Sequence, residues 1–192
     1  MATLLAELRS VVPMRPLNRG ESMRVAELQA IKLLEAIGVE EPPMPENVIA
    51  SLPRIQVDRM SPIPVSGSAH WAKGRWVIVL NGAEPLVRQR FSLAHEFKHV
   101  LDAPFDSLIY PEAGGVTSHE RAEQVADFFA ASLLMPKLWM RRAWTSGIQR
   151  LPNLARRFGV SQTAMQVRLL QMGLVDPPAR CFGREKKARA AA

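Results

Sequence analysis

Residues 90–101, Arg-Phe-Ser-Leu-Ala-His-Glu-Phe-Lys-His-Val-Leu, contain the spacing His-Glu-x-x-His at His95, Glu96 and His99. On an α-helix, side chains four residues apart lie one turn apart on the same face, so both imidazoles can reach one metal ion. Glu96 sits beside the first imidazole, where it can take a proton from metal-bound water and return it to a leaving amine. The stretch therefore predicts a helix that carries a water-activating metal centre.

Such a centre needs a third protein ligand, because catalytic zinc sites commonly use three and keep a fourth position for water. The next apolar-periodic segment, residues 118–135, offers Glu120, Glu123 and Asp127. Thr117 and Glu120 have the spacing of a capping box, which gives Glu120 a structural role. Glu123 lies where the helix becomes apolar, and a carboxylate there needs a partner. Asp127 is placed to accept the second ring N–H of a ligand histidine. The alternative is that Glu123 and Asp127 are both ordinary surface acids.

The segment at 90–101, followed by residues 123–136 (Glu-Gln-Val-Ala-Asp-Phe-Phe-Ala-Ala-Ser-Leu-Leu-Met-Pro), resembles the ImmA/IrrE family of metallo-endopeptidases. That family's pattern is an Arg-Phe-Thr-Leu-Ala-His-Glu-x-x-His helix, then a Glu-x-x-Ala-Asn-x-Phe-Ala-x-x-Leu-Leu-Met-Pro helix. The resemblance covers about residues 20–175. It implies a compact, zincin-like fold of the minimal gluzincin type, with a small antiparallel sheet beside the two ligand-bearing helices.

The resemblance also implies roles for individual residues. By position, His95, His99 and Glu123 match the metal ligands, and Glu96 matches the catalytic glutamate. Zn²⁺ is the expected metal, although Mn²⁺ or another divalent ion also suits two histidines and a carboxylate.

Three positions depart from the family's pattern. Lys98 stands where many members have glycine, Asp102 interrupts an apolar run, and Asp127 replaces the common asparagine. Lys98 is expected to point away from the metal-facing side of its helix. None of the three changes removes a ligand or the base.

The group that stabilises the developing oxyanion is expected outside the metal helix, since zincins commonly use a Tyr, His or Arg there. Tyr110, the one tyrosine of the chain, follows the motif helix and is the first candidate; His119 and His70 are rivals. The alternative for Tyr110 is simple packing of its ring.

Between Arg54 and Leu80 the sequence pattern changes to one typical of short β-strands, and Ala72-Lys73-Gly74 can form the turn of a hairpin. Helices on either side of this sheet give an α+β fold class. The segment Arg75–Leu80 is expected to offer a free strand edge to an extended peptide substrate.

The segment around Gly159 and Ser161 resembles a helix-turn-helix, with Ser161 as the N-cap of its second helix. In a DNA-reading role, four side chains would contact DNA: Gln162, Thr163 and Gln166 the bases and Arg168 a phosphate. In the alternative, which we favour, the segment packs against the rest of the fold through Ala164, Val167 and Leu170.

The composition bounds the remaining questions. The chain has 192 residues, a net charge of +7 and one cysteine, Cys181, so an internal disulfide is excluded. No secretory signal or membrane span is visible, which predicts a cytoplasmic protein. The expected organisation is an N-terminal extension at 1–20, a metallopeptidase domain at 21–145, a helical segment at 146–176 and a basic tail at 177–192.

The resemblance implies an endopeptidase that cleaves a specific cytoplasmic protein, typically a helix-turn-helix repressor encoded nearby, and so regulates gene expression. The alternative is a DNA-binding regulator or interaction module whose metal site is purely structural. The basic C-terminal third makes nucleic acid a second possible partner. The sequence predicts no membrane partner and leaves the oligomeric state open.

Overall fold

A computed structural model gives the structure of residues 3–176, and the predicted basic tail, with Cys181, lies outside these described residues. The helices are α1 Leu4–Arg9, α2 Arg19–Ala36, α3 Asn47–Ala50, α4 Leu86–Asp102, α5 Asp106–Ile109, α6 Ser118–Leu134, α7 Lys137–Thr145, α8 Leu151–Phe158 and α9 Gln162–Gln171. The strands are β1 Ile55–Met60, β2 Gly67–Ala72 and β3 Arg75–Asn81. Within residues 3–176 no helix combines the length and the apolar character that a bilayer crossing requires.

The sheet is small and has the strand order β1-β3-β2. The predicted hairpin is confirmed: β2 and β3 are antiparallel, and Lys73 and Gly74 both have positive φ, at 47° and 78°. Positive φ at both central residues matches the right-handed twist of the two strands. The expectation of a wholly antiparallel sheet is wrong, because β1 pairs with β3 in parallel.

The central position of β3 overturns a second expectation. Ile78 and Leu80 are fully buried, and both edges of their strand are hydrogen-bonded to neighbours. The segment Arg75–Leu80 therefore has no free edge for a substrate. Among the described strands, the edge left unpaired beside α4 belongs to β2. Local sequence could not show this, because strand order depends on which neighbours bury the apolar residues of β3.

Helix α6 packs between α2 and α4, and each of the three helices contributes buried apolar side chains to the core. Phe97 of α4 and Phe129 of α6 are fully buried, with ring centroids 6.2 Å apart. The capping box predicted at the start of α6 is present: the Glu120 N–H donates to Thr117 Oγ1 at 3.1 Å. The relative placement of α4 and α6 is thus fixed by apolar packing before any polar group is considered.

Helix α1 is tied to the C-terminal end of α4. Leu8 is fully buried, and the Arg9 guanidinium donates to the carbonyls of Val100 and Leu101 at 2.7 and 3.2 Å. Carbonyls in the last turn of a helix lack partners within the helix, so this contact satisfies two of them. The domain division predicted from the sequence stays a prediction, although α1 packs closely against the rest.

The C-terminal helices form the predicted helix-turn-helix shape. Gly159 ends α8 with a φ of 64°, and Ser161 Oγ accepts the N–H of Ala164 at 3.1 Å. Arg168, however, is 1% exposed and donates from Nε to the Met135 carbonyl at 3.1 Å. Its predicted contact with a DNA phosphate is therefore wrong.

The inward face of α9 also differs from the prediction. Met165 and Leu169 are buried beside Arg168, whereas Val167 is 48% exposed. Ala164 and Leu170 are partly buried, so the buried face of α9 is centred about one position away from the predicted face.

Candidate metal centre

The two histidines of α4 point into a cleft between this helix, α6 and β2. Their Nε2 atoms lie 3.1 Å apart, and the rings meet edge to face with centroids 4.9 Å apart. His95 and His99 are each partly buried, because their helix turns Phe97 and Leu101 into the core instead. The spacing predicted from the sequence thus brings two imidazole nitrogens to one point.

Glu123 of α6 completes a triangle of donor atoms. Its Oε2 lies 3.3 Å from His95 Nε2, and its Oε1 lies 3.2 Å from His99 Nε2. Ligand atoms of a tetrahedral zinc ion with bonds of about 2.0–2.1 Å stand about 3.3 Å apart, so the three donors fit one such ion. Glu120, the rival third ligand, is instead engaged with Thr117 at the helix cap.

Asp127 lies one turn further along α6, and its Oδ1 is 2.9 Å from His95 Nδ1. When Nδ1–H donates to this carboxylate, Nε2 carries a lone pair, and it faces another imidazole nitrogen and a carboxylate. Three electron-rich groups in contact repel one another unless a cation lies among them. The donor set therefore fits a divalent metal.

The pKa values of the two imidazoles are displaced in opposite directions. Burial lowers the pKa of His95, but the hydrogen bond to Asp127 and the nearby carboxylates outweigh it, so the net shift is upward. Burial, helped by His95, lowers the pKa of His99 and favours its neutral form. Because a metal binds only the unprotonated nitrogen, the centre should lose its metal as pH falls.

Glu96 lies between the metal-facing histidine and β2. A Cβ at Gly67 would stand 3.0 Å from Glu96 Cγ and 3.2 Å from its Oε1, so any larger residue would push this carboxylate out of its position. Burial raises the pKa of Glu96, while His95 opposes the shift. A raised carboxyl pKa suits a group that takes up and then releases a proton near neutral pH. Gly67 is not among the site residues predicted from the sequence, although a glycine inside a strand signals a close approach.

Tyr110 lines the cleft, but its hydroxyl donates to the carboxylate of buried Asp102. Burial and this acid raise the pKa of Tyr110, so the phenol stays protonated. The ring is 2% exposed, and the geometry gives no support to the catalytic role predicted for Tyr110. Among its rivals, His119 lies nearer the metal centre, with Nδ1 3.9 Å from Glu123 Oε1. His70 is exposed on β2 and does not line the cleft.

Lys98 points away from the metal-facing side, as predicted. It is 1% exposed, and its ammonium donates to Asp102 at 2.5 Å. Burial lowers the pKa of Lys98, and the negative charge of Asp102 opposes that shift. The two departures from the family's pattern at 98 and 102 are therefore one interaction, a buried ion pair that also holds Tyr110.

The donor triangle opens into a cleft of about 1120 Å³. The β2 side contributes Ser66, Ser68 and Ala69, and the facing wall comes from the start of α6 and the residues around α5. An extended polypeptide fits a groove of this kind, because one wall is a strand edge that can pair with a peptide backbone.

A small sheet packed on a His-Glu-x-x-His helix, with a third acidic donor on a later helix, defines a compact zincin-like fold. The Peptidase M78 family model, described as the IrrE N-terminal-like domain, matches residues 54–170. This match spans more than half of the chain, so the chain belongs to that family.

A solved structure shares the fold. The chain is similar to a Mycobacterium tuberculosis transcriptional regulator, with 17% sequence identity and a TM-score of 0.62. The match covers 88% of this chain and 52% of the other, so the chain spans about half the length of that regulator. A comparison with curated proteins finds no match.

Proposed function

We propose that the chain is a cytoplasmic zinc-dependent endopeptidase that cleaves a helix-turn-helix transcriptional repressor and thereby changes gene expression. The observation that carries this proposal is the triangle formed by His95, His99 and Glu123, with Glu96 beside it. A purely structural metal site has no use for a carboxylate next to its ligands. Membership of the M78 family supports the same reaction class.

A zinc ion held by the three donors would supply Lewis-acid activation of water and of a peptide carbonyl. The chain's own groups divide the remaining work. Glu96, with its raised pKa, takes a proton from the attacking water and delivers it to the leaving amine. Asp127 holds His95 in the tautomer that presents Nε2, and Glu123 adds the negative charge that balances a dication.

The substrate is held as an extended strand along β2. Among the described strands, the outer edge of β2 pairs with none, and Gly67 and Ser68 of this edge line the cleft next to Glu96. Backbone hydrogen bonds from this edge would position a scissile bond over the metal centre without requiring a particular side chain. An endopeptidase fits this arrangement, because such a strand can continue in both directions.

The proposed cleavage of a repressor is based on similarity to known proteins. The resemblance to ImmA/IrrE peptidases implies a repressor as target, and the similar Mycobacterium tuberculosis protein is a transcriptional regulator. The chain spans only half of that regulator, so the substrate is proposed and not transferred from it.

One observation favours a second candidate, a DNA-binding regulator. Residues 128–175 contain seven lysines and arginines and no acid. Arg168 is buried and cannot contact DNA, but Arg156 and Arg157 of α8 are exposed. A gel shift with duplex DNA that weakens steeply with salt, and disappears in R156A/R157A, would favour this candidate.

The proposed activity is tested by comparing cells of the source organism that produce the wild-type chain or Glu96→Gln. Newly formed protein N-termini are identified by mass spectrometry, and zinc is measured in both purified proteins. We expect an N-terminus inside a helix-turn-helix repressor that the variant fails to generate, with cleavage reduced by about 10²-fold or more. Both proteins should carry the same amount of zinc.

A matched control is Glu120→Gln, which alters an acid of α6 that faces the helix cap and not the metal centre. It should generate the same N-termini as the wild type. Equal cleavage by Glu96→Gln would refute the proposed mechanism, and new N-termini confined to proteins other than repressors would refute the proposed substrate.

A further inference from the structure

Trp71, exposed at the far end of β2, forms an aromatic pair with the partly buried Trp76 of β3. Trp71 and Trp76 meet edge to face, with ring centroids 5.6 Å apart and an interplanar angle of 71°. Trp71 is 53% exposed, although an indole ring gains considerable free energy when it is buried. The described fold thus leaves a large apolar side chain uncovered on the strand that borders the metal cleft.

This pair borders a second pocket of about 620 Å³, which we call the Trp71 pocket. Its apolar lining includes Val12, Met14 and Phe105 beside the two tryptophans, and its charged lining residues are Arg9 and Arg54. No acid lines it among residues 3–176. Most of its lining residues precede residue 54, so this pocket is largely built outside the segment that the family model matches.

The Trp71 pocket adjoins the metal cleft. Trp76 lines both, and the turn between α4 and α5 contributes Ala103 to the cleft and Phe105 to the pocket. The pocket wall is held in place by Arg9, which is bonded to the carbonyls at the end of the metal-binding helix α4. A substrate lying in the cleft along β2 therefore runs directly toward this pocket.

The pleat of β2 fixes the distance between the two sites. Gly67, Ala69 and Trp71 point to the same face of the strand, because successive side chains alternate. Gly67 touches Glu96, whereas Trp71 lies four residues, or about 13 Å, further along. A peptide paired with β2 would advance at the same rate per residue.

We propose that the Trp71 pocket is a specificity subsite of the peptidase, which takes a large apolar side chain of the substrate about four residues from the scissile bond. This inference rests on the proposed function. Its occupant is an extended segment of the substrate protein, aligned by the β2 edge. Because the residue opposite Trp71 shares a face with the residue opposite Gly67, the side chain reaches the pocket without a bend in the substrate.

The test uses a peptide library made by digesting a bacterial proteome, cleaved by the zinc-loaded full chain and read by mass spectrometry. The wild type should enrich Leu, Met, Phe or Trp at one position about four residues from the cleaved bond. Trp71→Ala should lower this enrichment about tenfold, with zinc content and preference at the cleaved bond unchanged. His70→Ala, on the outer face of the same strand, should match the wild type. An unchanged profile in Trp71→Ala would overturn the inference.

A binding measurement separates this inference from the proposed function. Short Ser/Thr peptides, each with a single Phe moved along the chain, are titrated by fluorescence polarisation against Glu96→Gln and Glu96→Gln/Trp71→Ala. One Phe position should improve binding about tenfold in the first protein and not in the second. Such a preference without cleavage by the wild type would refute the peptidase and leave the Trp71 pocket as a binding site for an apolar side chain of a peptide. Binding that is independent of the Phe position would refute the subsite.

Discussion

His95 and Asp127 form a 2.9 Å hydrogen bond between ring Nδ1 and carboxylate Oδ1, and it links the metal-binding helix to the helix that bears Glu123. The opposite nitrogen of the same ring lies 3.3 Å from the Glu123 carboxylate. One imidazole is therefore held between two acids that stand one turn apart on α6. This arrangement fixes both the tautomer and the tilt of the ring before a metal arrives.

Removing that support should weaken metal binding. Asp127→Ala leaves Nδ1 without its acceptor, and we expect zinc affinity to fall about 10- to 100-fold. Asp127→Asn keeps a carbonyl oxygen that can accept the ring N–H, so its affinity should stay within a few-fold of the wild type. Both are measured by competition with a chromogenic chelator, with exposed Gln124→Ala as the control. Equal affinities for all the variants would contradict the role given to Asp127.

The third ligand is identified by metal content. Glu123→Ala removes the acidic donor of the triangle, so the purified protein should retain little zinc after dialysis. Glu120→Ala should retain zinc fully and unfold at a slightly lower temperature, because the start of α6 loses half of its capping box. Elemental analysis and thermal unfolding distinguish the two. Zinc loss in both variants, or in neither, would mean that the ligand set is misassigned.

Gly67 should be essential for the position of Glu96. In Gly67→Ala the new methyl group would stand 3.0 Å from Glu96 Cγ, so the carboxylate must move. Cleavage of the substrate should fall about 10- to 100-fold while zinc is retained, because small misplacements of a catalytic group are costly. Gly82→Ala is a suitable control, since its nearest contact would be an ordinary 3.6 Å. Equal cleavage by Gly67→Ala and Gly82→Ala would contradict the role given to Gly67.

The buried pair of Lys98 and Asp102 should be strongly interdependent. Lys98→Met leaves a buried carboxylate without its cation, which should cost about 3–5 kcal/mol of unfolding free energy. The double variant Lys98→Met/Asp102→Leu should recover most of this loss and stay about 1–2 kcal/mol below the wild type, because the hydroxyl of Tyr110 loses its acceptor. The coupling is measured by urea unfolding of the wild type, Lys98→Met, Asp102→Leu and the double variant. Additive losses would contradict it.

Acid should weaken the start of α2 through Glu21. Hydrogen bonds from Arg15 and from the Asn18 N–H hold the pKa of Glu21 at about 2, well below its ordinary value of 4.5. A depressed pKa contributes stability above the ordinary value, and this contribution is lost as pH falls from about 4.5 toward 2. Glu21→Gln should therefore be less stable than the wild type at neutral pH, with the difference vanishing near pH 2. Exposed Glu40→Gln serves as the control in the pH-dependent unfolding series.

The parts of the site that the sequence predicts correctly are those set within a helix. The four-residue spacing of His95 and His99 and the capping box at Thr117 depend on helical geometry alone, and the structure reproduces both. The approach of Glu123 to the histidines depends on how α6 packs on α4. The position of Glu123 in an apolar stretch makes it a candidate, and the resemblance singles it out as the third ligand.

The misses share a different origin. The parallel pairing of β1 with β3, the unpaired edge of β2 and the burial of Arg168 are all set by contacts between distant segments. The catalytic role of Tyr110 stays a prediction, and the sequence does not reveal the buried acid to which its hydroxyl donates. Local sequence patterns do not determine contacts between segments that are far apart in the chain.

The donor atoms of the metal centre come from one turn of α4 and one turn of α6. The segment that follows Tyr110 and precedes α6 contributes none of them. Residues 111–116 include Gly114 and Gly115, around which a side chain would meet nothing within 4 Å. This hairpin-like bend is therefore where the chain should accept a foreign sequence. A short epitope inserted there would allow the protein, with any bound polypeptide, to be recovered from living cells.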